Sequence, residues 1–191
     1  MLGSANTALM LCPILSSGAV EALSHHGSAE QKARYLPKLV SGEWTATMNL
    51  TEPQAGSDVG ALRARATPRP DGRWSIEGTK IFISFGDHDM ADNIVHLVLA
   101  RTPGAPEGTR GISLFLVPKY RLEEDGSPGA FNDAKAVSIE HKLGLHGSPT
   151  CVMSFGEAGD CIGEMIGPEH GGMRAMFTMM NNARLFVGLQ G

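Results

Sequence analysis

The hydrophobic rhythm of the chain changes twice. Up to about Gly42 the spacing is helical: Ala5 to Leu23 carries apolar residues on most turns, with only Pro13 as a breaker. His26-Gly27 closes that element. Ser28-Ala29-Glu30-Gln31 opens the next as a capping box, in which the Ser28 hydroxyl and the Gln31 side chain satisfy each other's backbone N–H groups. Tyr35, Leu36, Leu39 and Val40 give this second helix an apolar stripe, and Gly42 stops it.

From Trp44 to about Ile166 the period shortens to that of strands. Thr45–Thr51 alternates Thr45, Thr47 and Asn49 against Ala46, Met48 and Leu50. Arg63–Thr67 is a second strand ended by Pro68, and Asp71-Gly72 is a turn. Trp74–Ile76 and Lys80–Ser84 read as a hairpin around Glu77-Gly78-Thr79. Ile94–Arg101, Gly111–Pro118 and Thr150–Phe155 complete the set, while Lys119–Lys142 is polar and reads as a surface insertion. Short strands divided by Gly- and Pro-rich loops predict a small barrel or sandwich. Helical spacing returns over Met173–Gln190, with Met173, Met176, Phe177, Met180 and Phe186 apolar. The pattern runs to Gly191 without a capping signal, so the chain is expected to be a fragment. The expected fold class is α+β, a middle β-barrel or sandwich domain with flanking helices.

Composition narrows the function. At 191 residues and 42% hydrophobic content the chain can bury a core. Sixteen basic against twenty acidic residues, a net charge of −4, weigh against nucleic-acid binding, which needs a basic face. Cys12, Cys151 and Cys161 fit neither a disulfide framework nor a zinc site. The longest apolar runs, Ile94–Ala100 and Ile112–Val117, are strand-sized and far from the ~18 residues of a membrane span. The first basic residue is Lys32, so the N-terminus lacks the positive region of a signal peptide. No membrane association and a cytoplasmic location are expected.

Several chemistries drop out. There is no G-x-G-x-x-G and no G-K-[ST], which removes the Rossmann and P-loop phosphate sites. His141, His146 and His170, with Asp87, His88 and Asp89, match no standard ligand spacing, so no metal is expected. His25-His26 reads as a helix end, the methionines at Met173, Met176, Met179 and Met180 as core or subunit contact, and no nucleophile elbow is present.

Thr51–Asp58 is the informative stretch. A strand runs into a turn holding Pro53 and Gly56, followed by Ser57 and Asp58. Backbone groups left unpaired at a strand end can bond a planar heterocycle. Gly56 lets the backbone approach a phosphate to which Ser57 can donate. Composition alone is equally consistent with a plain surface turn.

Leu50–Ala61, read as L-T-E-P-x-x-G-S-D-x-x-A, resembles the middle-domain motif of the acyl-CoA dehydrogenase family. Glu77–Ser84 resembles that family's second flavin strand. Ile162-Gly163 and Gly167 through Gly172 resemble the loop leading into its C-terminal helices, and Asn182-Ala183-Arg184 the start of the first of them. Gly86–Asp89, Gly111–Lys119, Glu140–Cys151 and Met176–Met180 resemble its larger bacterial members. The resemblance covers essentially the whole chain. It implies a division into the end of an N-terminal helical domain (1–43), a middle β domain binding flavin and acyl-CoA (44–166) and the start of a C-terminal helical domain (167–191).

The resemblance implies FAD as cofactor and α,β-dehydrogenation of an acyl-CoA thioester in fatty-acid metabolism, with hydride passing to flavin N5. Electrons would leave to an acceptor such as an electron-transfer flavoprotein, and the full-length protein would be a homo-oligomer (dimer or tetramer). Met48 through Ser57 would line the flavin, with backbone groups near Leu50 and Thr51 on its pyrimidine edge and Gly56 and Ser57 near the pyrophosphate. Phe82 would pack on the ring, with Ile83 beside it, and Ser84 would bond N5. Ser57, Asn181 and Arg184 would approach the acyl-CoA. Phe82 stands where many members have Trp, Ser84 where many have Thr, Asn49 where a small residue is usual, and Asn181 where fatty-acyl enzymes carry an acid. The catalytic base would lie beyond residue 191, since no Asp or Glu occurs between Gly171 and Gly191. By itself the chain is expected to bind FAD weakly or not at all and to lack turnover. Two other classes stay open: a non-catalytic flavin- or CoA-binding fragment, and a relative of the DNA-binding alkylation-response flavoproteins.

Overall fold

The computed structural model describes residues 5–188, in which three helices flank a mixed β-structure. Helix α1 (Thr7–His26) starts where the Asn6 side chain accepts the Leu9 N–H at 3.0 Å, and it runs through Pro13 without ending. It is long and apolar enough, by length and composition, to cross a membrane, contrary to the expectation that no segment approaches that length. Its place is nevertheless in the core, with Leu15, Ala19, Ala22 and Leu23 packed among Trp44, Ala46, Met176 and Met179. Buried Ser16 donates to the Cys12 carbonyl and accepts the Ala46 N–H, fastening α1 to the sheet.

Helix α2 (Ala29–Ser41) carries the predicted capping box, with Gln31 N–H to Ser28 Oγ at 3.1 Å and Ser28 N–H to Gln31 Oε1 at 3.0 Å. Gly42 ends it in the left-handed conformation (φ +80°). The buried stripe is narrower than the sequence implied: Tyr35 and Leu39 are inside, but Val40 is 70% exposed.

Strands β1 (Trp44–Asn49), β2 (Arg65–Pro68), β3 (Trp74–Ser84), β4 (Asn93–Arg101), β5 (Ile112–Pro118), β8 (Ala134–Ile139), β9 (Thr150–Phe155) and β10 (Ile162–Ile166) form one sheet, in the order β1-β4-β5-β10-β3-β9-β8. Strand β2 pairs with both β3 and β4, so β4, β5, β10, β3 and β2 close on themselves. Its interior holds Val98, Phe115, Val117, Ile83, Met153 and Phe155, a second core distinct from the one beneath the helices. Helix α3 (Gly172–Val187) packs on α1 and β5. Gly18 and Gly172 permit both approaches, because a Cβ on Gly18 would lie 2.9 Å from Met179 and one on Gly172 only 2.4 Å from Ser113. The predicted extension of this helix to Gln190 lies outside the described residues.

Three further expectations are corrected. The hairpin around Glu77-Gly78-Thr79 is one 11-residue strand, β3. Trp74–Glu77 pair with β2, and from Gly78 onward the strand pairs with β9. Gly78 is the point of that exchange: its φ is +150°, and a Cβ there would sit 2.8 Å from Ala64 Cβ. The segment Lys119–Lys142 is not an irregular insertion but a hairpin of β6 (Tyr120–Leu122) and β7 (Pro128–Phe131), followed by edge strand β8. Ile162-Gly163 belongs to β10, which joins β5 to β3, rather than to a loop.

Candidate functional site

The stretch after β1 is a tight reverse turn. Glu52 and Ala55 exchange both backbone hydrogen bonds, at 3.1 and 3.0 Å, which pushes Pro53 and Gln54 outward. Beyond it Gly56, Ser57 and Asp58 are exposed, and a Cβ on Gly56 would meet nothing within 4 Å. That side of the turn is open for a ligand to approach.

A second segment faces this turn from β3. Lys80 pairs with Met153 and Ile83 with Cys151, so Ile81 and Phe82 together oppose one residue of β9. Such a bulge flips the phase of the strand, and here it turns both Lys80 and Ile83 inward. Phe82, in the extra position, has φ +61° and is 59% exposed. A strained backbone carrying an exposed aromatic is a feature that sites retain for function rather than for packing.

The two segments are stapled together. Ile81 N–H donates to the Thr51 carbonyl at 2.9 Å. The Lys80 ammonium, fully buried, donates to the Leu50 carbonyl at 3.0 Å and to Glu52 Oε1 at 2.8 Å. Glu52 also accepts the N–H groups of Arg63 (2.6 Å) and Ala64 (3.0 Å) and the Gln54 amide (2.6 Å). Burial pushes the Lys80 ammonium down to about 8, with Glu52 pulling the other way. Burial alone would raise Glu52, but Lys80 and the two backbone donors outweigh it and hold the carboxyl below its usual range. Both groups are therefore charged at neutral pH. Farther along, the Arg101 guanidinium donates to the carbonyls of Gly60, Leu62, Pro106 and Gly108, clamping the chain that follows Asp58.

Of the residues singled out from sequence, Leu50, Thr51, Phe82, Ile83 and Ser84 are thus brought together. Leu50 and Thr51 already use their carbonyls on β3. Ile83 is buried in the barrel core and its carbonyl accepts the Gly86 N–H at 3.3 Å, so its side chain does not reach a ligand, while Ser84 is half-buried opposite Thr150. Gly56 and Ser57 lie just past the tight turn. Met48 pairs with Leu97 and packs toward the helix-side core. Asn181 and Arg184 are exposed on α3, where the Arg184 guanidinium donates to Asn181 Oδ1 at 2.8 Å and lies over the Phe177 ring. Buried Asn49 donates to Thr47 Oγ1 at 2.8 Å, and Thr47 bonds His96 Nδ1 at 2.7 Å, so a polar chain enters the barrel beside the site. Lys80 and Arg101 had no assigned role from sequence, and Glu52, expected among the residues from Met48 to Ser57 that line the flavin, is instead buried and turned to Lys80 and the Arg63 and Ala64 N–H groups. A charged residue in the inward phase of an apolar strand, as at Lys80, was the available signal.

A family model, the acyl-CoA dehydrogenase middle domain, matches residues 47–158, a span that includes both the turn and the bulged strand. This chain belongs to the acyl-CoA dehydrogenase family. The N-terminal domain model of the same family matches residues 1–43. The chain is 54% identical, over its whole length, to 3-methylmercaptopropionyl-CoA dehydrogenase of Ruegeria pomeroyi, and 49% identical, over 98% of its length, to a butyryl-CoA dehydrogenase of Syntrophomonas wolfei. It spans about a third (32%) of the length of each. Among solved structures it superposes on Caenorhabditis elegans ACDH-11 in complex with C11-CoA with a TM-score of 0.73, at 28% identity over 91% of this chain and 29% of that one. It also superposes on PigA with FAD and proline with a TM-score of 0.70, at 29% identity over 91% and 41% of the two chains. Members of this acyl-CoA dehydrogenase family use FAD.

Proposed function

We propose that this chain forms one wall of the FAD site of an acyl-CoA dehydrogenase, and that the protein oxidises the Cα–Cβ bond of an acyl-CoA thioester. The observation that carries the reading is the staple: it brings the strand-end backbone at Leu50–Thr51 against a bulge that presents Phe82 and Ser84. The residues present fit the cofactor. The open side of Gly56 and the Ser57 hydroxyl suit a pyrophosphate, the exposed ring of Phe82 suits the face of an isoalloxazine, and the Ser84 hydroxyl suits N5. Bound FAD supplies a hydride acceptor for the β-hydrogen. This chain's residues hold and orient it, and Ser57, Asn181 and Arg184 meet the acyl-CoA. Residues 171–191 include no carboxylate, so the α-proton acceptor comes from outside them. An electron-transfer flavoprotein as acceptor, homo-oligomeric assembly, a cytoplasmic location and the division at 43/44 and 166/167 belong to the same proposal.

The test is FAD titration into the purified chain, followed by flavin fluorescence and absorption. Weak, saturable quenching with a perturbed flavin band is expected, and added acyl-CoA should leave the band unbleached. Flavin emission and absorption unchanged at large FAD excess overturn the cofactor assignment. Bleaching by acyl-CoA overturns the expectation that the base lies beyond residue 191.

A further inference from the structure

Strand β3 meets the turn after β1 through three consecutive acceptors. Leu50 O and Glu52 Oε1 both bond Lys80 Nζ, and Thr51 O bonds the N–H of the next residue, Ile81. Stability alone does not require a lysine at this point. A buried ion pair is commonly no better than well-packed apolar side chains of the same volume, because desolvation offsets the attraction. Met at position 80 would fill the same space.

What the ammonium adds is register. It holds a carbonyl and a carboxylate two residues apart, and that carboxylate in turn gathers the N–H groups of Arg63 and Ala64 at the start of the next segment. Lys80 also lies one residue from the bulge, so its anchorage sets where Phe82 is presented.

We infer that Lys80, acting through Glu52 and the Leu50 carbonyl, is a positioning residue that fixes the Leu50–Thr51 backbone against Phe82–Ser84 before a flavin arrives. This inference rests on the FAD reading above. Its energetic content is preorganisation: a site already ordered loses less freedom when its ligand binds.

The experiment compares the chain with its Lys80→Met/Glu52→Gln double variant, which removes the pair without stranding a buried charge. FAD affinity is measured by fluorescence, the environment of the ring by the shape of the flavin band, and folding by thermal melting. The expected result is a folded double variant that binds FAD about tenfold more weakly, the factor equal to ~1.4 kcal/mol, with a band shifted toward that of free flavin. A role in stability alone would not move the band. Wild-type affinity and band shape in the folded double variant overturn the inference. Should the variant not fold, hydrogen exchange on the unaltered chain decides: an Ile81 amide protected without FAD supports a pre-set staple, and one protected only after FAD is added overturns it. Absence of FAD binding by the unaltered chain is a separate result, which removes the flavin reading and this role with it.

Discussion

Replacing Lys80 alone with Met tests how the pair at the centre of the site is held. The substitution keeps the volume but leaves the Glu52 carboxylate, 3% exposed, without its cation. Removing one partner of a buried ion pair costs ~3–5 kcal/mol. Glu52 retains the Arg63, Ala64 and Gln54 donors, so the lower end, about 3 kcal/mol, is the expected cost. For a chain of this size that corresponds to a melting-point drop of roughly 6–12 °C. Adding Glu52→Gln removes the stranded charge and should recover more than half of the loss. The pH dependence follows from the Glu52 shift. Its folded-state affinity for protons is depressed, so its contribution is fully present above its ordinary value of 4.5 and disappears as the pH falls below that. In Lys80→Met, burial without the cation raises the Glu52 pKa, and the acid limb of stability moves to higher pH. Urea unfolding followed by tryptophan fluorescence, with Trp44 buried in the helix-side core, measures all three proteins at pH 7.5 and 5. A loss below about 1 kcal/mol for Lys80→Met, or a double variant as damaged as the single one, would refute the reasoning.

Three further outcomes follow from other parts of the molecule. Gly78→Val combines an unfavourable φ of +150° with a contact 2.8 Å from Ala64 Cβ, and should cost roughly 2–5 kcal/mol in urea unfolding; a near-neutral effect would mean that β3 does not change partners there. Ser28→Ala removes one half of the capping box and should cost about 1 kcal/mol in the same assay, with the rest of α2 intact by circular dichroism. Burial holds His96 neutral, with its pKa lowered to about 3, while Asp87, Lys119 and His88 add smaller influences of both signs. The unfolded chain binds that proton at 6.5, so stability falls as the pH drops from 6.5 toward 3, by up to ~1.4 kcal/mol per unit. His96→Leu should flatten this slope between pH 6.5 and 4.5, and an unchanged slope would show that His96 is protonated in the fold.

Features governed by neighbours in sequence were legible in advance. The Ser28–Gln31 box and the stop at Gly42 appear as read, and Thr150–Phe155 is a strand with the predicted bounds. What failed in the β domain depended on partners distant in the chain. Glu77-Gly78-Thr79 has the composition of a turn, and only the proximity of Ala64 shows that the glycine serves a strand passing between two partners. The polar run Lys119–Lys142 conceals β8 because that strand lies at the sheet edge, with Lys135 and Val137 exposed on it. The site divides along the same line. The motif from Leu50 to Asp58 and the aromatic and hydroxyl at Phe82 and Ser84 could be recognised as residue types. Lys80 could not be given a role, because its function lies in bonds to Leu50 and Glu52, 30 and 28 positions earlier, and those bonds depend on a one-residue bulge that no local pattern announces. A regular β3 would alter the phase between Lys80 and Phe82 and separate the anchor from the presented ring. The irregularity that defeats a period-two reading of this strand is therefore the feature that allows one strand to bury a cation and expose an aromatic two residues apart.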